Sequence, residues 1–124
     1  MATDLAIGLI DRPGTLAQAS ETLGRAGVAI EGTCGFVCDG QGVFHVLVQD
    51  AVRARRALID SGFEIQDERQ VVLARLEERP GAAAELLHRV AAAGVNVDLL
   101  YAAADGRLVF GGSDVSGLRR ALAG

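Results

Sequence analysis

The turn Asp11-Arg12-Pro13-Gly14 returns in the same chain as Glu78-Arg79-Pro80-Gly81, and each copy follows an apolar run. The shift that lays Arg12 on Arg79 also lays Ala17 on Ala84 and Ala26-Gly27-Val28 on Ala93-Gly94-Val95. It sets Leu5, Ile7 and Leu9 on Val72, Ala74 and Leu76. After a gap in the hairpin, DAVRARRAL at 50–58 falls on DVSGLRRAL at 114–122. A repeat of this extent constrains the fold more than any other feature, because one unit built twice must satisfy both halves. The boundaries it predicts are 1–68 and 69–124, units of about sixty residues that fold alone only marginally.

Within the first unit, Leu5, Ile7 and Leu9 alternate at the period of a half-buried strand. Pro13 is expected in a first helical turn, where its missing N–H costs nothing. Leu16, Ser20, Leu23 and Gly27 follow at helical spacing, with Gly27 placed to end the helix. Residues 28–37 read as a second strand, 39–42 as a hairpin turn and 43–48 as a third strand. Asp50 is the expected N-cap of a second helix that closes at Gly62, and 63–66 supply a fourth strand. The second unit repeats the order as strand 70–77, helix 80–93, strands 95–103 and 107–111, and helix 114–122. Nothing after 122 corresponds to the fourth strand.

The predicted fold class is therefore α+β: two ferredoxin-like βαββαβ repeats with antiparallel sheets, helices on one face, and a second repeat without its last strand. That leaves the strand near 70–77 with an open edge, and open edges pair. Residues 63–68 bending back, a neighbouring chain or solvent would meet it. A homodimer is the preferred reading.

Composition excludes several classes. Net charge is −4 with twelve basic residues, all arginine, which does not favour a nucleic-acid partner. No apolar run approaches a membrane span and no signal peptide is evident, so a soluble cytoplasmic protein is expected. Arg53, Arg55 and Arg56 read as a solvated helix face. Cys34 and Cys38 on one strand would lie about 13 Å apart, too far for a disulfide. With His45 they match no common zinc spacing, so no metal is expected and both read as packed, reduced thiols. Leu16, Leu23, Phe44, Phe63 and Phe110 are core candidates, and Tyr101 a core or interface residue.

The strand, D-R-P-G-T-L turn and helix closing on A-G-V-A-I resemble an ACT domain, and E-R-P-G followed by A-A-A-G-V-N-V resembles a second. The resemblance implies a regulatory module that binds a small molecule, most often an amino acid, at the interface between paired domains. It places ligand at the strand-to-helix turn, with an acidic or amide residue before R-P-G and an Asn opening the partner domain's next strand. Carried onto this sequence, the ligand-binding residues are Asp11, Arg12, Gly14, Thr15, Leu16, Asn96 and Val97. The opposite site would join Glu78, Gly81 and Ala82 to Ala29, which lacks the amide, and is expected to be degraded.

Elementary chemistry fits these roles. A helix N-terminus offers unpaired N–H groups to a carboxylate, Gly14 lets a ligand approach the backbone, and Asp11 would accept from an ammonium group. The simpler reading is that acid-R-P-G only starts a helix. Asn96 equally suits a turn. His45 and His88 have no sequence-local partner, and no catalytic or cofactor motif is present, so neither an enzyme nor a cofactor is expected. The leading reading is an amino-acid-binding regulatory protein that relays occupancy to a partner such as a metabolic enzyme. The alternative is a structural or oligomerisation module that binds nothing.

Overall fold

The computed structural model of the protein describes residues 2–124. Eleven elements follow in chain order: β1 Thr3–Ile10, α1 Thr15–Arg25, β2 Gly32–Cys38, β3 Gln41–Val48, α2 Ala51–Asp60, β4 Glu64–Gln70, β5 Val72–Arg75, α3 Ala82–Ala92, β6 Leu99–Ala103, β7 Arg107–Gly111 and α4 Val115–Leu122. They divide into two compact units, Met1–Arg69 and Gln70–Gly124. The class is α+β, with antiparallel ladders in both units.

In the first unit the strand order is β4-β1-β3-β2. β1 pairs with β3 from Thr3↔Val48 to Ile10↔Gln41, and β2 pairs with β3 from Gly32↔Leu47 to Cys38↔Gln41. Leu5, Ile7, Leu9, Phe44, Val46 and Val48 share one face of this sheet and form a core with Ala19 and Leu23 of α1 and Ala54 and Leu58 of α2. Both helices therefore cover one face. Phe63 and Ile65 pack on the same core from β4 and its lead-in.

The opposite face of β1 is also covered. Asp4 and Ala6 are buried, so β1 is sealed on both sides rather than half-buried as its alternation suggested. Gly8 explains part of this: a Cβ there would stand 2.7 Å from Nε2 of Gln66.

In the second unit the order is β6-β7-β5. Val72, Leu108 and Phe110 meet Leu86 and Val90 of α3 and Leu118 of α4. β5 has β7 on one side and no strand of the described residues on the other. Residues 64–70 lie beside β1, not bent back onto β5.

Local chemistry sets the boundaries. α1 ends where Gly27 takes φ +77° and the Val28 N–H donates to Leu23 O, a Schellman closure. The same closure recurs at Gly62 and Gly94, with Phe63 donating to Leu58 O and Val95 to Val90 O. Because residues 28–31 lead away from that closure, β2 starts at Gly32 instead of Val28. The hairpin turn is only Asp39-Gly40, both at positive φ, and Gln41 already pairs with Cys38. β4 runs longer than expected, to Gln70, and β5 is correspondingly short.

Two core assignments change. The buried stripe of α1 is Thr15, Ala19 and Leu23, four residues apart, so Leu16 falls off it and is about half-exposed. Cys38, beside the hairpin turn, is exposed and not packed, while Cys34 is half-buried; both are free thiols. Tyr101, Leu23, Phe44 and Phe110 are buried. No helix among the described residues is long and apolar enough to cross a membrane.

Candidate ligand-binding site

Arg12-Pro13-Gly14-Thr15 closes as a β-turn, with the Thr15 N–H donating to Arg12 O at 3.5 Å and Gly14 at φ 92°, ψ −13°. Pro followed by Gly at such dihedrals is the signature of a type II turn. Arg79-Pro80-Gly81-Ala82 repeats it, with Ala82 donating to Arg79 O at 3.3 Å and Gly81 at φ 87°, ψ −8°. Pro13 and Pro80 therefore precede their helices instead of lying in the first turn. The left-handed Gly lies outside the right-handed helix, and each helix begins after it.

Gly14 and Gly81 are the N-caps, and no side chain caps either helix. α2 and α4 differ: Asp50 accepts from the Arg53 N–H and Asp114 from the Gly117 N–H. Asp11 is thus not a cap. In α1 the first helical bond runs from the Gln18 N–H to Gly14 O, which leaves the Leu16 and Ala17 amides open. Thr15 is less available than expected, because its amide and its hydroxyl both turn back to Arg12 O. The space over Gly14 is clear, with no atom within 4 Å of a Cβ built there.

Beside this turn lies a cavity of about 560 Å³. Asp11, Arg12, Gly14, Thr15 and Leu16 line one end, and Thr33, Gly35, Val37 and Phe44 continue it along the helix-bearing face of the sheet. Ile10, Leu16 and Val37, all on its wall, are large apolar side chains left about half-exposed or more. Its size falls within the roughly 300–1,000 Å³ common for ligand sites.

The two turns differ electrostatically. Arg79 Nε contacts Glu77 Oε2 at 3.0 Å, and its Nη atoms grip both carboxylate oxygens of Glu85, one at 3.1 Å. This double pairing raises the Arg79 pKa and lowers that of Glu85, hydrogen bonding being the larger cause in each. At the matching positions of the first unit stand Ile10 and Gln18. Among the described residues neither an ion pair nor a side-chain hydrogen bond engages Arg12 or Asp11. One turn closes on its own charges; the other holds an exposed cation and anion next to a cavity.

The remaining sequence candidates do not line this cavity. Asn96 and Val97 belong to the second unit, in the extended lead from α3 into β6, since β6 starts only at Leu99. Asn96 is exposed, and its carbonyl lies so close to Gly112 that a Cβ there would meet it at 2.5 Å. Val97 packs on the second core. Ala29 and Glu78 are exposed, Gly81 is the α3 cap, and Ala82 is buried.

Sequence reasoning missed one pair altogether. His45 Nδ1 lies 2.8 Å from Oδ2 of the fully buried Asp4, a contact made by residues 41 positions apart. Phe36 stacks on the imidazole with centroids 5.9 Å apart. Cys34 sits opposite His45 in the β2–β3 ladder. The alternation of the strands puts this group on the face away from the helices, and neither His45 nor Cys34 lines the cavity. The only local signal was an acid within an apolar strand.

A family model described as an ACT domain pair matches residues 1–119. No curated protein sequence matches the chain. A solved structure of a Bacteroides thetaiotaomicron protein is similar over 97% of this chain and 85% of its own, at 25% identity and a TM-score of 0.85. The ligand-free regulatory subunit of aspartate kinase from Thermus thermophilus is similar over 98% of this chain and 89% of its own, at 22% identity and a TM-score of 0.72. That subunit from Thermus flavus gives 98% and 90%, at 20% identity and 0.71.

Proposed function

We propose, from the premise that this chain belongs to the ACT domain pair family, that it is a regulatory protein which binds an amino acid at the Asp11 turn. One observation carries the reading: among the described residues no side-chain partner holds Asp11 or Arg12 at the mouth of the 560 Å³ cavity, while the equivalent Arg79 is neutralised by Glu77 and Glu85. Adjacent opposite charges suit a zwitterion, and the open Leu16 and Ala17 amides add positive potential on the carboxylate side. In this reading Asn96 completes the site with its amide and Val97 backs it. The Glu78 turn, matched with Ala29, is the degraded counterpart. Catalysis and a bound cofactor form no part of it.

Occupancy would be relayed to a partner, and a metabolic enzyme is the partner class proposed. The aspartate kinase regulatory subunits of matching fold supply the analogy. A soluble, cytoplasmic homodimer is the form in which the protein would act.

Thermal denaturation of the full chain with each of the twenty amino acids tests this directly. A ligand at a hundred times its dissociation constant adds about 2.7 kcal/mol of stability. The stabilising ligand is expected to lose its effect in Asp11→Ala and Asn96→Ala and to keep it in Glu78→Ala. A shift that survives both first-site substitutions moves the site elsewhere. No shift with any amino acid favours the structural module.

A further inference from the structure

The charges and walls of the cavity say more about its ligand than that it is an amino acid. We infer that the site takes an α-amino acid with an apolar side chain, and that the Arg12 guanidinium receives its carboxylate. This rests on the amino-acid reading above and narrows it.

The walls are the first observation. Beyond the turn the cavity is bounded by Leu9, Ile10, Leu16, Val37, Val43 and Phe44. Among the described residues Thr33 is its only polar side chain away from the turn, and no charged side chain lines it there. A ligand ammonium, guanidinium or second carboxylate buried against such walls would lose hydration without a partner. Gly35 widens the floor: a Cβ built there would touch Phe44 Cδ1 at 3.9 Å and Leu16 Cδ2 at 4.0 Å, so the bare glycine leaves a slot between them. An aliphatic branch fits that slot and removes the half-exposed Leu16 and Val37 from water.

Arg12 is the second observation, and the repeat supplies its control. The two turns share backbone geometry down to the Gly dihedrals, yet among the described residues Arg79 is held by two carboxylates and Arg12 by none. What differs is residue choice at two positions, Ile10 for Glu77 and Gln18 for Glu85. Both substitutions remove an internal competitor for the guanidinium, and a planar guanidinium matches a ligand carboxylate in a two-pronged hydrogen bond. Asp11, next in the chain, takes the ammonium group.

Isothermal titration of the full chain, checked by circular dichroism, decides the matter. Leucine, isoleucine, valine and methionine are expected to bind, and lysine, aspartate and threonine to bind at least tenfold more weakly. Leucine amide, which lacks the carboxylate, should be weakened as well. The double variant Ile10→Glu/Gln18→Glu installs the second unit's carboxylates around Arg12. It should cut leucine affinity about tenfold to a hundredfold, the range for a lost hydrogen bond to a charged group. Gly35→Val, which strand geometry tolerates, should do the same by filling the slot. If lysine, aspartate or threonine binds best and Asp11→Ala abolishes it, the amino-acid site stands and its apolar character is overturned. If leucine amide binds as tightly as leucine, the Arg12 assignment falls. If no amino acid binds and the cavity walls are buried in a concentration-dependent dimer, both this inference and the site reading fail together.

Discussion

Gly14 controls both the start of α1 and the access to its amides. Its φ of +92° lies in the left-handed region, and nothing stands above it to clash with a side chain. Gly14→Ala should therefore cost about 1–2 kcal/mol from backbone strain alone, read by chemical denaturation. The Pro-Gly pair made this turn legible in the sequence, because that dipeptide specifies a type II turn whatever surrounds it. Charge state at the second turn was not legible, since Glu85 reaches Arg79 only once α3 has formed. Glu85 has a lowered pKa in the folded protein, so its pairing stabilises above the ordinary carboxylate range and is lost as pH falls through the folded value. Glu85→Gln should melt below the parent at pH 7, and the gap should close as pH falls through the lowered folded value, where the parent's Glu85 also becomes uncharged. Added salt should narrow the gap at pH 7, as both groups are exposed.

Among the elements, the helices fall into two kinds by how they begin. α2 and α4 carry Asp caps, and these were readable from Asp50 and its repeat partner Asp114. Asp114→Ala should lower stability by about 1 kcal/mol, measured by urea denaturation, because the Gly117 N–H then loses its acceptor. α1 and α3 leave their amides uncapped, which the acid-R-P-G pattern disguised: an acid three residues before the N-cap resembles a cap but does not reach. Strand periodicity found β1, β3 and β7 well because alternate apolar residues of each face the core of its own unit. It overextended β2 and β6, since Val28 and Ile30, like Val95 and Val97, keep the apolar alternation yet lie in exits from helix closures. Register gave Leu16 its role. One residue off the Thr15–Ala19–Leu23 stripe, it leaves the core and meets the cavity.

For the molecule as a whole, the second unit's β5 has β7 on one side only among the described residues, and VLAR carries a charge only at Arg75. β4, the other strand at an end of its order, reads EIQDERQ and is blunted by charge. An unprotected edge of this kind favours pairing with a second copy. Sedimentation equilibrium at micromolar concentration should give a dimer mass, and a monomer mass at every concentration would remove the homodimer from the proposal.

The sequence by itself determined the repeat, the class, the order of elements and the twin turns. Each depends on neighbours in the chain: a Pro-Gly pair, a capping Asp, a Gly after a helix, an alternation of apolar residues. Tertiary structure decided what those local rules cannot reach. It brought Asp4 to His45 across 41 positions and sealed both faces of β1. It closed Glu85 and Glu77 on Arg79, left Arg12 without an acid among the described residues, and gathered Ile10, Leu16 and Val37 around one cavity. Pairing of charges and enclosure of space are properties of distances between residues remote in sequence, and only the folded chain fixes those.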